Sequence, residues 1–291
     1  MQPETVYMYM VGICRSLVSW YLKLLVAVIV IDLLVSLFHN SRLRYYACYF
    51  CYIMTASTIS VIYMPFLLLR FHDPANILFA SQPAVMLARL LGIKWELRGG
   101  KYLAKDQAAV VTATHQSIFD VMGLLVIGPT LQKAWAVARK EVFYYWPFGL
   151  TLWLSGVIFI DRKNGRKSNT KLMESIARVK KNNMKIVMFP EGTRNRKGET
   201  LLPFKKGAFR MAIEAQIPII PMVYSPYYFI NSDKKTFNKG KMIISTLPPI
   251  STKGKTMADL DMLLEKTQAI MEEEFQKLKT EIDLRYGPFK T

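Results

Sequence analysis

From Tyr45 to Leu69 the chain runs for 25 residues without one charged side chain, and Arg70 closes the run. A stretch of that length and polarity is enough to cross a hydrocarbon core of about 30 Å. Pro65, near its end, is tolerable in such a helix. The sequence therefore predicts a membrane helix here, and whatever else the chain builds must attach to it. A second apolar run, LKLLVAVIVIDLLVSLF from Leu22 to Phe38, precedes it and carries Lys23 and Asp32. Asp32 would be costly in mid-span, so it either pairs with a neighbour or the helix lies partly in the interface. A cleaved signal peptide fits poorly, because the run is long and no small-x-small site closes it. Arg42 and Arg44, between the two runs, conflict mildly with a lumenal loop. The expected arrangement is a hairpin or a shallow anchor, with the remainder of the chain on the cytosolic side.

All three cysteines, Cys14, Cys48 and Cys51, lie in this apolar front section. An odd count confined there argues against a disulfide framework. Cys48 and Cys51 spell C-x-x-C, but within YYACYFCYIM they read as small apolar residues of a helix rather than a zinc or redox site.

Charge is distributed differently from hydrophobicity. The 291 residues carry a formal net charge of +18 although 52% are hydrophobic. Residues 1–94 hold seven Lys/Arg and three Asp/Glu, which leaves 32 and 18, a net +14, for residues 95–291. An apolar front and a basic body suit an anionic partner: a membrane surface, a nucleic acid, or phosphate-bearing small molecules. No RNP-like or zinc-finger pattern supports a nucleic acid.

From about Trp95 short β-rich runs alternate with amphipathic ones. WELRG, AAVVTAT, KAWAVA, GVIFID, KIVMFP, PIIPMVY and KMIIST read as strands. Ser117–Ile127, Ser168–Lys181, Phe204–Gln216 and Met257–Asp283 read as helices, the last with apolar residues at helical spacing from Leu260 to Ile282. This predicts a membrane anchor over residues 1–80, of one or two helices, and an α/β domain over 81–291. The domain's sheet should be mixed, largely parallel and flanked by helices. Ligands of such domains sit in the loops at the strand ends.

In THQSIFD, His115 lies where a strand should turn into a helix, with Asp120 five residues on. On a regular helix five residues span about 500°, roughly 140° off a common face. The two side chains meet only if His115 lies in the turn and Asp120 in the helix's first turns. A carboxylate on Nδ1 would then leave Nε2 as a base. Taken alone, H-x-x-x-x-D is more often a capping histidine beside an N-terminal aspartate. Metal binding is the weaker alternative, since His39 and His72 lie in the front section and no second carboxylate adjoins the pair. Ser117 is in no G-x-S-x-G elbow and should cap the helix.

A second cluster, KIVMFPEGTRNRKGETLLPFKKGAF, places Glu191, Gly192, Thr193 and Arg194 after an apolar strand. Backbone N–H groups, a hydroxyl and a guanidinium suit a phosphate, but a basic surface loop reads the same way. The Walker pattern is absent. GVIFIDR, ending at Arg162, and IPIIPMVY, with Pro218 and Pro221, are each weak alone.

In this order, however, HQSIFD, GVIFIDR, FPEGTR and IPIIPMVY resemble the four-motif series of the glycerolipid acyltransferases, in particular the 1-acyl-sn-glycerol-3-phosphate acyltransferases of animals. The resemblance spans roughly Lys94 to Ser251 and extends to the apolar N-terminus. Thr114 departs from it, since many relatives have asparagine before the histidine. By resemblance His115 and Asp120 would be the catalytic pair, and Glu191, Gly192, Thr193 and Arg194 the motif tied to the acceptor's phosphate. Arg162 and Pro221 would contribute to substrate binding, and Lys140 would join the phosphate site. The resemblance implies acyl transfer from acyl-CoA, as co-substrate, to the sn-2 hydroxyl of lysophosphatidic acid, with no tightly bound cofactor and no metal. It also implies phospholipid biosynthesis at the endoplasmic reticulum membrane, with the catalytic domain facing the cytosol. The run FYYWPFGLTLWLSG, Phe143 to Gly156, lines the acyl-chain path, sits in the interface, or is core. Glycerol 3-phosphate or another lysophospholipid is the rival acceptor. A non-catalytic basic membrane protein that binds acidic lipids is the rival from another class.

Overall fold

The computed structural model describes residues 42–161, 165–196 and 198–287, with isolated helical positions at Gly12, Ser16, Ser19 and Lys23. Arg162, Cys14 and the first apolar run except Lys23, Asp32 included, lie outside the described residues. The longest apolar run forms α1 (Arg42–Leu69), whose 28 residues span about 42 Å at 1.5 Å each. The helix is long and apolar enough to cross a membrane.

The strands in chain order are β1 (Ile93–Arg98), β2 (Ala109–Ala113), β3 (Ala134–Arg139), β4 (Ile158–Ile160), β5 (Lys185–Met188), β6 (Ile219–Tyr224), β7 (Ile230–Asn231), β8 (Thr236–Phe237) and β9 (Gly240–Thr246). The remaining helices of more than one turn are α2 (Ile77–Leu91), α3 (Phe119–Val126), α4 (Phe148–Leu154), α5 (Gly165–Lys181), α6 (Gly207–Ala215) and α7 (Leu260–Tyr286).

The chain divides into two compact units. The smaller comprises Met1–Thr58 with Ile230–Asn238. In it the β7–β8 hairpin is antiparallel, and Asn231 Oδ1 closes the turn by accepting the N–H groups of Asp233 and Lys234. The buried Arg44 donates from Nε to Phe237 O at 2.8 Å.

The larger unit, Ile59–Phe229 with Lys239–Thr291, is the α/β body. Its seven strands lie in the order β1-β9-β6-β2-β5-β3-β4. Every pairing is parallel except β6 with β9, so the sheet is mixed and largely parallel, flanked by helices, as its alternating pattern predicted. The central strands are buried on both faces, which explains why AVVTA, KIVM and IIPMVY are mostly apolar runs rather than alternating ones. Pro221 is tolerated in β6 because the ladder to β9 begins only at Met222; beyond it, Pro221 O still accepts Leu247 N–H at 2.9 Å. On one face α7 buries Leu260, Leu263, Thr267, Met271, Phe275, Leu278 and Ile282, one stripe at helical spacing, against β6 and α6. Phe275 is fully buried there, and truncating it to alanine would cost about 3–5 kcal/mol. On the way in, Thr256 and Asp259 form a reciprocal capping box.

Candidate active site

Because β5, β2 and β6 are adjacent and parallel, the loops after them emerge at one edge of the sheet. His115 follows β2, Glu191 follows β5 and Tyr227 follows β6. Thr114 stitches the first to the last: its N–H donates to Met222 O and its hydroxyl accepts Tyr224 N–H at 2.9 Å. The Thr114 side chain thus joins β2 to β6.

His115 stands in the turn and Asp120 in the first turn of α3, as the spacing requires. Nδ1 of His115 lies 2.7 Å from Asp120 Oδ2. That same oxygen accepts the N–H groups of Gln116 (2.7 Å) and Ser117 (2.8 Å), and Oδ1 accepts the hydroxyl of Tyr227 at 2.8 Å. The Asp120 side chain is fully buried, while that of His115 is 19% exposed. Four donors replace water around the carboxylate, a condition for keeping a charge in such a place. An acceptor at Nδ1 fixes the proton there and leaves the Nε2 lone pair for a partner. The imidazole is further fixed by stacking on Phe189, with centroids 4.1 Å apart and planes 20° apart. Ile118 rather than Ser117 occupies the cap position of α3, but the Ser117 hydroxyl accepts the N–H of Phe119, the helix's first residue, at 3.4 Å.

The other predicted residues occupy different positions. Glu191 is buried, and its oxygens accept His115 N–H at 2.7 Å and Leu202 N–H at 3.1 Å. It thereby braces the histidine turn against the loop after β5. Burial pushes its carboxyl above the ordinary range, against those two hydrogen bonds. Asn195 adds a second tie, its N–H donating to His115 O at 2.7 Å. Gly192 turns the chain at φ +71°, a left-handed value that suits glycine. Thr193 and Arg194 beyond it are exposed, and Arg194 has no ion pair among the described residues. Lys140, following β3, is bound to Asp161 at 2.5 Å, which raises its pKa. Pro221 is buried inside β6. Arg162 falls outside the described residues.

Sequence reasoning did not find Tyr227 or Tyr224. Tyr224, wholly buried, donates its hydroxyl to Asp120 O at 3.0 Å, and burial drives its pKa well above the ordinary value, so it stays a donor. Nothing in YSPYYF marks either hydroxyl as a partner of a residue more than a hundred positions earlier.

Comparison with known proteins places this edge in a family. A family model described as Acyltransferase matches residues 94–225. Human 1-acyl-sn-glycerol-3-phosphate acyltransferase beta is 38% identical over 185 residues, 63% of this chain and 66% of that protein. The human alpha enzyme is 32% identical over 224 residues, covering 77% and 78%. The Haemophilus influenzae enzyme of the same name is 33% identical over 216 residues, covering 74% and 88%. The crystal structure of the 1-acyl-sn-glycerophosphate (LPA) acyltransferase PlsC from Thermotoga maritima shares the fold, with a TM-score of 0.61 at 20% identity over 82% of this chain and 98% of that one. The chain belongs to the acyltransferase family, in its 1-acyl-sn-glycerol-3-phosphate acyltransferase branch, and is an enzyme of that class.

Proposed function

We propose that the protein transfers a fatty acyl group from acyl-CoA to the sn-2 hydroxyl of lysophosphatidic acid, giving phosphatidic acid. The observation that carries this reading is the buried, fully hydrogen-bonded Asp120 holding His115 at 2.7 Å, on the edge where Arg194 is exposed. An alcohol is a poor nucleophile at neutral pH, so its proton must leave as the carbonyl is attacked. Nε2 of His115 takes that proton while the alcohol oxygen bonds to the thioester carbon. Asp120 stabilises the imidazolium that forms. As the tetrahedral intermediate collapses, the C–S bond breaks and the coenzyme A thiolate leaves with its electron pair. The imidazolium proton then goes to the thiolate, and no covalent acyl-enzyme is needed.

Arg194, beside the Gly192 turn and Thr193, grips the acceptor phosphate, and Lys140 and Arg162 add charge to that region. Glu191 serves this site by holding the histidine turn to the loop that carries Arg194. No tightly bound cofactor or metal takes part. Residues 1–80 anchor the enzyme, residues 81–291 form the catalytic domain, and the enzyme works in the endoplasmic reticulum membrane with that domain facing the cytosol. The length and apolarity of α1 support the anchor. The test is an acyl-CoA assay of the purified protein with a panel of lysolipids and glycerol 3-phosphate. Lysophosphatidate should be the preferred acceptor. Preference for another acceptor, or no transfer to any, overturns the reading.

A further inference from the structure

The run Phe143 to Gly156 has no place in the chemistry above, and its conformation calls for a different explanation. Tyr144 is 77% exposed, Tyr145 60% and Trp146 71%, with Phe143 at 39%. Trp153 on α4 and Phe71 are also open to solvent, and their rings meet edge to face at 5.1 Å. Side chains this open do not line an enclosed acyl-chain path. Nor is the segment irregular. Tyr145 N–H donates to Val142 O, Gly149 N–H donates to Tyr145 O at 2.7 Å, and a Cβ on Gly149 would strike Phe143 O. A built loop therefore holds three consecutive large aromatics outward, against the usual gain from burying them.

Two observations name what covers them. The first is continuity. Phe71 follows the end of α1, where Leu68 and Leu69 are exposed, so the aromatics extend the apolar surface of a helix fit to span a bilayer. The second is charge. The aromatic loop follows β3, which is parallel to β5 and β2, so it leaves the sheet at the edge that carries His115. Arg194 and Arg196 are exposed in the loop after β5 at that same edge, where Arg139 at the end of β3 and Lys140 beyond it are paired with Glu141 and Asp161. Tyr and Trp with basic neighbours match the headgroup region of a membrane, where one part of the ring is wet and the rest apolar.

We propose that Phe143, Tyr144, Tyr145, Trp146, Trp153 and Phe71 form an interfacial belt that seats the catalytic edge of the sheet on an anionic lipid surface. This contact is distinct from the span of α1. It rests on the reading of the protein as an enzyme that works at a bilayer, and its readout does not depend on acyl transfer. The belt sets the height of His115 above the membrane, so that a lysolipid reaches the base without leaving the leaflet.

The full chain is placed in nanodiscs of equimolar phosphatidylcholine and phosphatidylserine, and the emission of Trp146 is obtained by difference from Trp146→Phe. Lipids brominated high on the acyl chain should quench most of that component, and aqueous acrylamide little of it. Quenching by acrylamide alone overturns the belt. Protection from both also overturns it, because a protein contact would then cover the loop. In a second measurement, the variant with Tyr144, Tyr145 and Trp146 all changed to Ser should raise KM for bilayer-borne lysophosphatidate about tenfold or more. Its kcat and its KM for a short-chain, water-soluble acceptor should be unchanged, and an unchanged bilayer KM refutes the proposal. Bromolipid quenching in a protein that transfers no acyl group would leave the belt standing and the proposed reaction refuted.

Discussion

Glu191→Gln tests whether Glu191 is a brace or a substrate contact. The two carboxylate oxygens face two N–H donors, His115 at 2.7 Å and Leu202 at 3.1 Å, in a buried position. A glutamine offers one oxygen and one NH2, so one backbone N–H must face another donor. An unsatisfied buried donor costs about 1–3 kcal/mol. Against that, glutamine removes a buried charge, whose unfavourable placement shows in the raised pKa of Glu191. The lost acceptor should win, leaving a net loss of about 1–2 kcal/mol at neutral pH. For a domain of this size that is roughly 2–8 °C in the unfolding midpoint.

The pH dependence has a definite sign. Glu191 is raised in the folded state, so its contribution to stability is fully present below its ordinary value of 4.5 and is lost as pH rises through the folded value. Glutamine does not titrate. The stability gap between wild type and Glu191→Gln should therefore narrow as pH is raised from 4.5. In kinetics, the variant should lose about tenfold or more in kcat, because the Glu191 tie between the His115 turn and the loop after β5 is weakened and the Asn195 tie alone holds the turn less firmly. KM for either substrate should change little. Thermal unfolding across pH and initial rates with each substrate varied decide the matter. A variant of wild-type stability in which only the lysophosphatidate KM rises would refute the brace and make Glu191 a substrate contact.

His115→Ala should lower turnover by about 10²–10⁴-fold without loss of fold, and full turnover in folded protein would sink the general-base step. Asp120→Asn should fall severely too, because one NH2 must replace an oxygen that is surrounded by donors. Arg194→Lys should weaken apparent affinity for lysophosphatidate, and Arg194→Ala more so, since a point charge cannot reproduce a bidentate grip. A collapse of acyl-CoA affinity alone would assign Arg194 to the donor. Tyr227→Phe leaves Asp120 Oδ1 without its 2.8 Å donor and should cost about 1–3 kcal/mol in stability together with a drop in kcat. Unchanged melting and turnover would refute that role.

The strands of the sheet were legible because most are short runs rich in β-branched residues closed by turn residues, and the buried ones are mostly apolar. The β7–β8 hairpin was not, since two residues a strand leave no period to detect. Helix α2 escaped for another reason: ILFASQPAVMLARLL is apolar on most sides and holds Pro83, so no polar face marks it. Of the site, His115 and Asp120 could be paired by turn geometry, which is local. Glu191 was legible as a motif residue, yet its attachment to an N–H 76 positions away was not. Tyr227, 107 residues from Asp120, gave no sign at all. Spacing reports on neighbours within a turn or two, whereas a brace across strands depends on which strands are adjacent.

Adjacency here follows from strand order. Since β2 lies between β5 and β6 and runs parallel to both, the histidine turn is enclosed by the loops that follow its two neighbours. One neighbour supplies Glu191 to the backbone of His115, and the other supplies Tyr227 to the carboxylate of Asp120. β9 and β1 run the opposite way and present their N-terminal ends at this edge. Their C-terminal residues therefore serve elsewhere: Arg98 binds Glu281 on α7, and Thr246 donates its hydroxyl proton to Arg98 O. A base that depends on a buried carboxylate needs donors from both sides of its own strand, because the turn's two N–H groups serve only Oδ2. The central position of β2 meets that requirement. An edge strand would have left one side of the pair to water, where the charge of Asp120 is screened and holds the imidazolium less firmly.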